Sequence, residues 1–254
     1  MKKQGQVRVG TCKWQGSTRI DPQVDGFIPI VCLTKSTKYG MLSPYCLTVS
    51  MKFQNDPNTY EVLMENAWQF SKVYEKVPPV TETKSRFDRT VIWNWPTQTH
   101  LIGNNITMEY LSWRKAGMLV SEPIRYPVGK NYMHKCLFSL KSSNGSINLK
   151  MLNYLEARRE IYLPLYVEAV KKHPEFIKLK KRLENGENLI ILEVDGPHYE
   201  SLNYYKRTYD VNEDFITENS TILTTQINLE IMLDDTKHRF GHGYCLAGAL
   251  LDLY

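Results

Sequence analysis

Apolar and polar residues alternate over residues 61–75 with the spacing of an amphipathic helix. One face of this predicted helix carries an apolar stripe made of Leu63, Ala67, Phe70 and Tyr74. The opposite face carries a polar stripe made of Glu65, Gln69 and Lys72. Trp68 falls within the polar stripe, so the largest apolar side chain stands between a carboxylate and an amine, away from the predicted core. This helix is therefore the first candidate for a functional surface.

The rest of the chain predicts an α+β fold that is mainly helical, with one short buried strand. The strand is the apolar run "LIILEV" at 189–194, between "GEN" and "DGPH". Further helices are predicted at 107–117, 154–172 with a kink at Pro164, 174–186, 220–233 and 243–254. Residues 1–60 are irregular or β, and 76–157 form a turn-rich inserted middle segment. We expect one domain spanning 1–254.

Composition limits the classes of protein that fit. The 254 residues include 42% hydrophobic and 23% charged residues, which is ordinary for a soluble globular protein. No apolar run reaches the roughly 20 residues needed to cross a membrane, and the first residues lack the apolar core of a signal peptide. Five dispersed cysteines without a CxxC pair are typical of reduced thiols, so we expect a cytoplasmic protein. The net charge of +5 permits an anionic partner.

Four segments together resemble the NADAR family. "ENAWQFSK" at 65–72 aligns without a gap with the family signature "EHYFQAQK": Glu65, Gln69 and Lys72 are identical, and Trp68 replaces the family's aromatic residue. "LSPYCL" at 42–47, which contains Tyr45, is similar to a segment that precedes the signature. The stretch 163–196 resembles a later helix and strand, with Glu193 at the position of a family Glu. The resemblance covers 39–74 and 158–251.

The last of these segments departs from the family at one position. "GHGYCLAGALL" at 241–251 fits the family's terminal motif in its small and apolar positions, but Tyr244 stands where the family has Asn. The resemblance implies a NADAR-like domain that cleaves N-glycosidic bonds in nucleotide-like substrates. These include ADP-ribose attached to guanine and intermediates of riboflavin synthesis.

The resemblance gives the polar stripe a chemical role. Cleavage of a ribose–base bond builds positive charge on C1′, which the Glu65 carboxylate would stabilise. The amine of Lys72 would attack C1′ or hold a polar group of the substrate. Trp68 would be a wall on which a base stacks. A continuous helix would separate Glu65 and Lys72 by about 10 Å, one on each side of the substrate. The alternative is an ordinary solvated helix face.

Other polar residues are weaker candidates, each with a structural alternative. Asp195 and His198 follow the predicted strand, where either a site or a simple turn is expected. Asp234, His238 and His242 have a helical spacing that a metal site could use, but glycines interrupt the helix there. "WNWP" at 93–96 favours a core role over stacking on a nucleic acid. Two basic surfaces are candidates for phosphate contacts: Lys178, Lys180 and Lys181, and then Arg125, Lys130, His134 and Lys135.

The sequence therefore predicts an N-glycosidase without a metal or cofactor. The substrate is a nucleotide-like small molecule or DNA bearing a modified or ADP-ribosylated base, which would be flipped out of the duplex. The predicted catalytic residues are Glu65, Lys72 and Asp195. The predicted substrate-binding residues are Trp68, Gln69, Tyr45, Glu193, His198, Asp234, His242 and Tyr244. Two alternatives remain: a non-catalytic nucleotide or nucleic-acid binding module marked by Tyr244, and a metal-dependent nuclease built on His238 and His242.

Overall fold

The computed structural model describes residues 3–33, 38–82, 93–143 and 146–254. The chain forms two compact units. Unit 1 comprises Met1–Ser43 and Tyr166–Tyr254, and unit 2 comprises Pro44–Leu165. The fold is mixed, 35% helical and 25% strand, with several small sheets. The prediction of a mainly helical domain with one short buried strand is therefore wrong. The strands that were missed are mostly two to five residues long, too short to show a period of their own.

The elements follow in chain order. The strands are β1 Val7–Thr11, β2 Lys13–Gln15, β3 Thr18–Ile20, β4 Phe27–Val31, β5 Thr48–Lys52, β6 Thr59–Leu63, β7 Lys72–Val73, β8 Lys76–Val77, β9 Val80–Glu82, β10 Trp93–Trp95, β11 Gln98–Thr99, β12 Leu101–Ile102, β13 Asn105–Ile106, β14 Phe138–Ser143, β15 Ser146–Leu152, β16 Asn188–Glu193 and β17 Thr221–Leu223. The α-helices are α1 Met64–Gln69, α2 Met108–Met118, α3 Tyr154–Ala157, α4 Leu163–Lys171, α5 Pro174–Glu184, α6 Leu202–Tyr209, α7 Gln226–Asp234 and α8 His242–Leu250. A π-helical turn, Arg158–Tyr162, joins α3 to α4.

Unit 1 is built on a four-stranded sheet in the order β17-β1-β16-β4. β1, β16 and β4 are parallel, and β17 is antiparallel to β1. All of β16 after Asn188 is buried, which confirms the predicted strand and matches the continuous apolar pattern of buried parallel strands. α8 contacts β1 and β16. Because the three parallel strands share a direction, their carboxyl ends meet at one edge of the sheet, where Thr11 pairs with Glu193.

The helix predicted at 174–186 is confirmed as α5. Pro174 occupies its first turn, and the His173 ring accepts a hydrogen bond from the Glu175 N–H as N-cap. Gly186 has a φ of +95°, a left-handed conformation that ends the helix at little steric cost. In contrast, the helix predicted at 220–233 is only half right, since its first residues form β17 before α7 begins at Gln226.

The helix predicted at 61–75 is wrong at both ends. Residues up to Leu63 belong to β6, which pairs with β5, so sheet hydrogen bonds override the helical period there. α1 ends at Gln69, and the Ser71 hydroxyl donates to the Trp68 carbonyl, 2.8 Å away. Lys72 then enters β7 and pairs with Ser139 of β14. The polar stripe is thus carried by a short helix, a turn and a strand.

Two buried polar side chains hold α1 in unit 2. The Asn66 amide donates to the carbonyls of Val120 and Glu122, both 2.9 Å away, and accepts from the Ile124 N–H at 2.8 Å. The Arg114 guanidinium on α2 donates to the carbonyls of Phe70 and Leu140 and to the Tyr110 hydroxyl. Buried polar groups without partners would be costly, so these bonds fix the position of α1 and the turn that follows it.

Pro164 explains the π-helical turn inside the long predicted helix 154–172. Proline has no N–H and its ring clashes with the carbonyl four residues earlier. The backbone between α3 and α4 therefore widens at Arg158–Tyr162, which includes the residue four positions before Pro164. α2 confirms the helix predicted at 107–117, and Trp93 of "WNWP" lies in the core of unit 2, as favoured from the sequence.

The packing of α2 on the turn after α1 leaves no room for a side chain at Gly117. A Cβ there would lie 1.8 Å from Phe70 Cε1. We expect Gly117→Ala to destabilise the protein by about 1–3 kcal/mol because the buried ring must move. Urea unfolding followed by tryptophan fluorescence measures this change. Ser112→Ala, on the exposed part of the same helix, should change the free energy of unfolding by less than about 0.5 kcal/mol. Equal stability of the two variants would contradict the proposed contact.

Candidate functional site

The polar residues of the "ENAWQFSK" segment form a hydrogen-bonded chain in unit 2. Glu65 and Gln69 are one turn apart on α1, and the Gln69 Nε2 donates to Glu65 Oε1 at 2.9 Å. The Lys72 Nζ donates to Gln69 Oε1 at 2.7 Å. Glu65 and Gln69 are both buried, and Lys72 is half-buried. The carboxylate and amine that a continuous helix would have kept apart are therefore linked through one amide.

Trp68 is buried beside this chain and is only 8% exposed. Its ring packs edge-on against Tyr162 in a cluster with Leu152, Ala157 and Ile161. The Lys72 Nζ lies 4.9 Å from the centroid of the ring. An apolar side chain in the polar stripe is thus explained by residues 152–162 packing onto it. The ring is a wall for the Lys72 amine, and it does not present an open face to a base.

Burial lowers the pKa of Lys72 below the usual lysine value, because the charged form loses contact with water. The negative charge of Glu65 and the Cys136 thiol oppose this shift but do not cancel it. A lysine with a lowered pKa has a larger fraction of free amine near neutral pH, which is the form that acts as a nucleophile.

Two of the segments that carry the family resemblance meet at the start of α1. The Glu65 N–H donates to the Pro44 carbonyl at 3.0 Å, and the Met64 N–H donates to the Leu47 carbonyl at 2.9 Å. Tyr45 lies between these two acceptors in the chain and is half-buried. The "LSPYCL" segment therefore satisfies N–H groups that the first turn of a helix leaves without intrahelical partners.

A second polar centre lies at the carboxyl edge of the unit 1 sheet. Glu193 ends β16 and is 2% exposed. Its Oε2 lies 3.0 Å from His242 Nδ1, and its Oε1 accepts the Gly243 N–H at 3.0 Å. The other ring nitrogen, His242 Nε2, lies 3.0 Å from the Cys32 carbonyl. Burial would lower the pKa of His242, but Glu193 and the Cys32 carbonyl raise it above the ordinary histidine value. An imidazolium satisfies both acceptors.

Glycines make room for the Glu193 carboxylate at the start of α8. A Cβ on Gly241 would lie 2.0 Å from Glu193 Oε1, and one on Gly243 would lie 3.0 Å from the same atom. The two glycines that argued against a continuous helix in the sequence are thus the ones that admit the carboxylate. It occupies the N-terminal end of a nine-residue helix, where negative charge is favoured.

The remaining predicted site residues of unit 1 differ from one another in burial and in their contacts. Asp195 is half-buried and within 3.5 Å of Arg239, while His198 and Asp234 are exposed. Tyr244 is fully buried and stacks on Phe240, and its hydroxyl has no hydrogen-bond partner among the described residues. The structure therefore brings Glu193 and His242 together, but it does not bring Asp234 or His198 to this pair.

The metal-dependent nuclease would need ring nitrogens of His238 and His242 as ligands, but both rings are already bonded to protein groups. His242 is bonded to Glu193 and Cys32, and His238 to Asp235 and Ser201. Within the described ranges, no group of three or more His, Cys, Asp or Glu side chains has the arrangement of a metal site.

Cavities are found elsewhere in unit 2. One of about 310 Å³ and another of about 210 Å³ share Gln54 and Leu111 in their walls. Neither is lined by Glu65 or Lys72. These cavities therefore lend no support to the candidate site, which depends on its hydrogen-bonded chain alone.

Sequence reasoning missed several residues that shape these centres. Asn66 fixes α1, Cys136 lies close enough to affect Lys72, and the Cys32 carbonyl holds His242. Asn66 lies inside the "ENAWQFSK" segment, and that position was a signal in the sequence for a role beside Glu65. Cys136 and Cys32 are brought in by tertiary pairing, for which the sequence has no local pattern.

Comparison with known proteins adds no relative: no protein-family description, curated protein or solved structure matches this chain. Among the described residues, no helix is both long and apolar enough to cross a bilayer.

The raised pKa of His242 predicts how stability depends on pH. A histidine whose pKa is higher in the folded state stabilises the fold below its unfolded pKa of about 6.5, and this contribution is lost as the pH rises through the folded value. We expect the wild-type free energy of unfolding to fall more steeply from pH 6 to pH 9 than that of His242→Gln. Urea unfolding at several pH values measures the slopes. His134→Gln, at an exposed position, should keep the wild-type slope, and an unchanged slope in His242→Gln would refute the ion pair.

Proposed function

We propose that the protein is an N-glycosidase that hydrolyses an N-glycosidic bond in a nucleotide-type substrate. The observation that carries the proposal is the chain Glu65–Gln69–Lys72, in which a buried carboxylate and a lysine of lowered pKa share one amide. The resemblance of "ENAWQFSK" to the NADAR signature supports the same residues independently of their geometry.

The chemistry requires little more than these groups. As the bond from C1′ to the base breaks, the sugar becomes positively charged, and the Glu65 carboxylate stabilises that charge. Lys72 then has two possible roles: its free amine attacks C1′ and holds the opened sugar as a Schiff base that water releases, or it binds a substrate oxygen while water attacks directly. No metal ion is needed for either route.

Gln69 and Trp68 act on Lys72 as positioning residues in this proposal. Gln69 accepts one of the three N–H bonds of the ammonium, and the aromatic ring of Trp68 covers the amine from one side. Base recognition is thus assigned to other residues than Trp68. Asp195, the third predicted catalytic residue, belongs to unit 1 and is half-buried, and it remains a prediction.

The substrate is either a small nucleotide-like glycoside or DNA bearing a modified or ADP-ribosylated base. Net positive charge favours DNA through phosphate contacts. The exposed Lys130, His134 and Lys135 and the lysines of α5 are the candidate contact residues. A binding module without turnover is the alternative, and the same experiments separate it from the enzyme.

We expect Glu65→Gln to lower turnover by about 100-fold or more while substrate affinity changes little, because the charge acts mainly in the transition state. Mass spectrometry of bases released from ADP-ribosylated DNA, nucleotides and riboflavin precursors provides the assay, with EDTA present throughout. Glu61→Gln, an exposed carboxylate just before α1, is the matched control and should retain full activity.

Lys72→Met separates the two roles of the amine. If Lys72 is the nucleophile, borohydride added during turnover traps a protein–sugar adduct in the wild type and in Lys76→Met, an exposed control, but not in Lys72→Met. Loss of turnover without trapping assigns direct water attack. Full activity in both Glu65→Gln and Lys72→Met would sink the glycosidase proposal, and saturable binding of a nucleotide without base release would favour the binding module.

The lysines of α5 test the DNA substrate. Lys180 is unsuitable for reversal, because it donates to the Leu250 carbonyl at 2.8 Å and pairs with Asp252, so its loss would disturb the fold. Lys181 is exposed, and Lys178 pairs only with the neighbouring Glu175 among the described residues.

We expect Lys178→Glu with Lys181→Glu to weaken binding to a DNA duplex and to reduce its salt dependence. Fluorescence anisotropy between about 50 and 200 mM salt measures both. Unchanged binding moves the contact surface to Lys130, His134 and Lys135.

A further inference from the structure

A second set of polar side chains in unit 1 has the hydrogen-bond order of a nucleophilic serine site. Ser201 Oγ lies 2.9 Å from His238 Nε2, and His238 Nδ1 lies 2.5 Å from Asp235 Oδ2. Asp235 is fully buried, His238 is partly exposed and Ser201 is half-buried. The carboxylate is thus buried, while the imidazole and the hydroxyl are both partly accessible.

The carboxylate at the inner end is held in its ionised form. Asp235 Oδ1 accepts from the Tyr204 hydroxyl and from the Lys237 N–H, both at 2.9 Å, while Oδ2 also accepts from the Tyr205 hydroxyl at 2.5 Å. Burial would raise the pKa of Asp235, but these bonds and the one from His238 lower it below the usual value. A carboxylate in this state only accepts hydrogen bonds.

This fixes the histidine in the orientation a general base needs. Because Asp235 accepts, His238 Nδ1 carries the proton, and Nε2 is left to accept the Ser201 O–H. The ring is also fixed by packing, since it stacks on Tyr205 with an interplanar angle of 26° and meets Tyr204 edge-on. Its Nε2 is therefore aimed at the Ser201 hydroxyl, while Nδ1, which faces Asp235, also lies 3.1 Å from the Tyr205 hydroxyl.

Ser201 is placed so that its hydroxyl serves this base. It ends the 3₁₀ turn Tyr199–Ser201 and is the N-cap residue of α6. Serine in that position normally caps the helix, but within the described chain the Ser201 side chain makes no cap hydrogen bond. Its Oγ points to His238 instead. The N-terminal turn of the eight-residue α6 follows at once, where the helix dipole favours the negative charge that develops when an acyl group is attacked.

We propose that Ser201, His238 and Asp235 form a serine-nucleophile site that hydrolyses carboxylic esters, an activity separate from the glycosidase. Ser201 Oγ bonds to the acyl carbon while its proton passes to His238 Nε2. The bond from the acyl carbon to the alcohol oxygen then breaks, and the alcohol leaves with that proton. Water attacks the acyl-serine, gives a proton to His238 and releases the acid, and His238 returns the proton to Ser201.

A fluorophosphonate probe tests the site without the natural ester. The Ser201 oxygen would displace fluoride from phosphorus, and peptide mass spectrometry locates the adduct. We expect labelling of Ser201 in the wild type and in Ser17→Ala, an exposed control of unit 1, and none in Ser201→Ala. His238→Gln should slow labelling by about 1,000-fold or more, because the hydroxyl loses its base.

Hydrolysis of p-nitrophenyl acetate provides a second readout and should be lost in Ser201→Ala. Asp235→Asn removes an acceptor of several buried bonds and can fail to fold, so the decisive variants are Ser201→Ala and His238→Gln, each checked by circular dichroism. No adduct on Ser201, or labelling at an equal rate in His238→Gln, would show that the three residues only stabilise the fold. Base release from a glycoside should persist in Ser201→Ala, which keeps the two activities distinguishable.

Discussion

Glu193 ends a strand that is buried from Leu189 onward, and the contacts at this end of the unit 1 sheet balance the charge of its carboxylate. A buried carboxylate without a partner is strongly destabilising, so a cation and N–H donors have to reach the carboxyl end of β16. His242 supplies the cation and Gly243 supplies the N–H. Both come from the start of α8, which contacts β16 and β1. The absence of side chains at Gly241 and Gly243 lets the helix approach closely enough.

In unit 2 the amine of Lys72 also needs partners, and there an uncharged amide stands between the amine and the carboxylate. Its amine is covered by the ring of Trp68 and bonded to Gln69, which relays to Glu65. These bonds exist because α1 ends after Gln69 and the chain turns into β7, bringing Lys72 back beside the helix. Asn66 and Arg114 fix that turn from the other side. The geometry of the proposed catalytic residues in this segment therefore depends on where a six-residue helix stops.

Local signals predicted the elements whose stability is local. α5 has its proline, its cap and its glycine, and β16 has an unbroken apolar run between turns. The interval 61–75 has an equally clear helical period, yet β6 and β7 take both ends of it, because their partners β5 and β14 lie outside the interval and contribute hydrogen bonds that its own period does not show. The same distinction between local and distant contacts applies to the candidate sites. The hydrogen bond between Gln69 and Glu65 follows from their spacing of one helical turn. The bonds from Lys72 to Gln69 and between Ser201 and His238 depend instead on the path of the chain between the two residues.

The three hydrogen-bond chains differ in the group on which they end, and that difference bears on which groups the two proposals treat as reactive. At His242 both ring nitrogens are occupied by protein acceptors, so the imidazole has no nitrogen left for a ligand. The chain from Glu65 ends on an amine, of whose three donor bonds Gln69 accepts one. The chain from Asp235 ends on the hydroxyl of a half-buried serine. In both proposed reactions the reacting group has to exchange its partner for a substrate during each turnover, and of the three chains only the second and third end on a group that these proposals use.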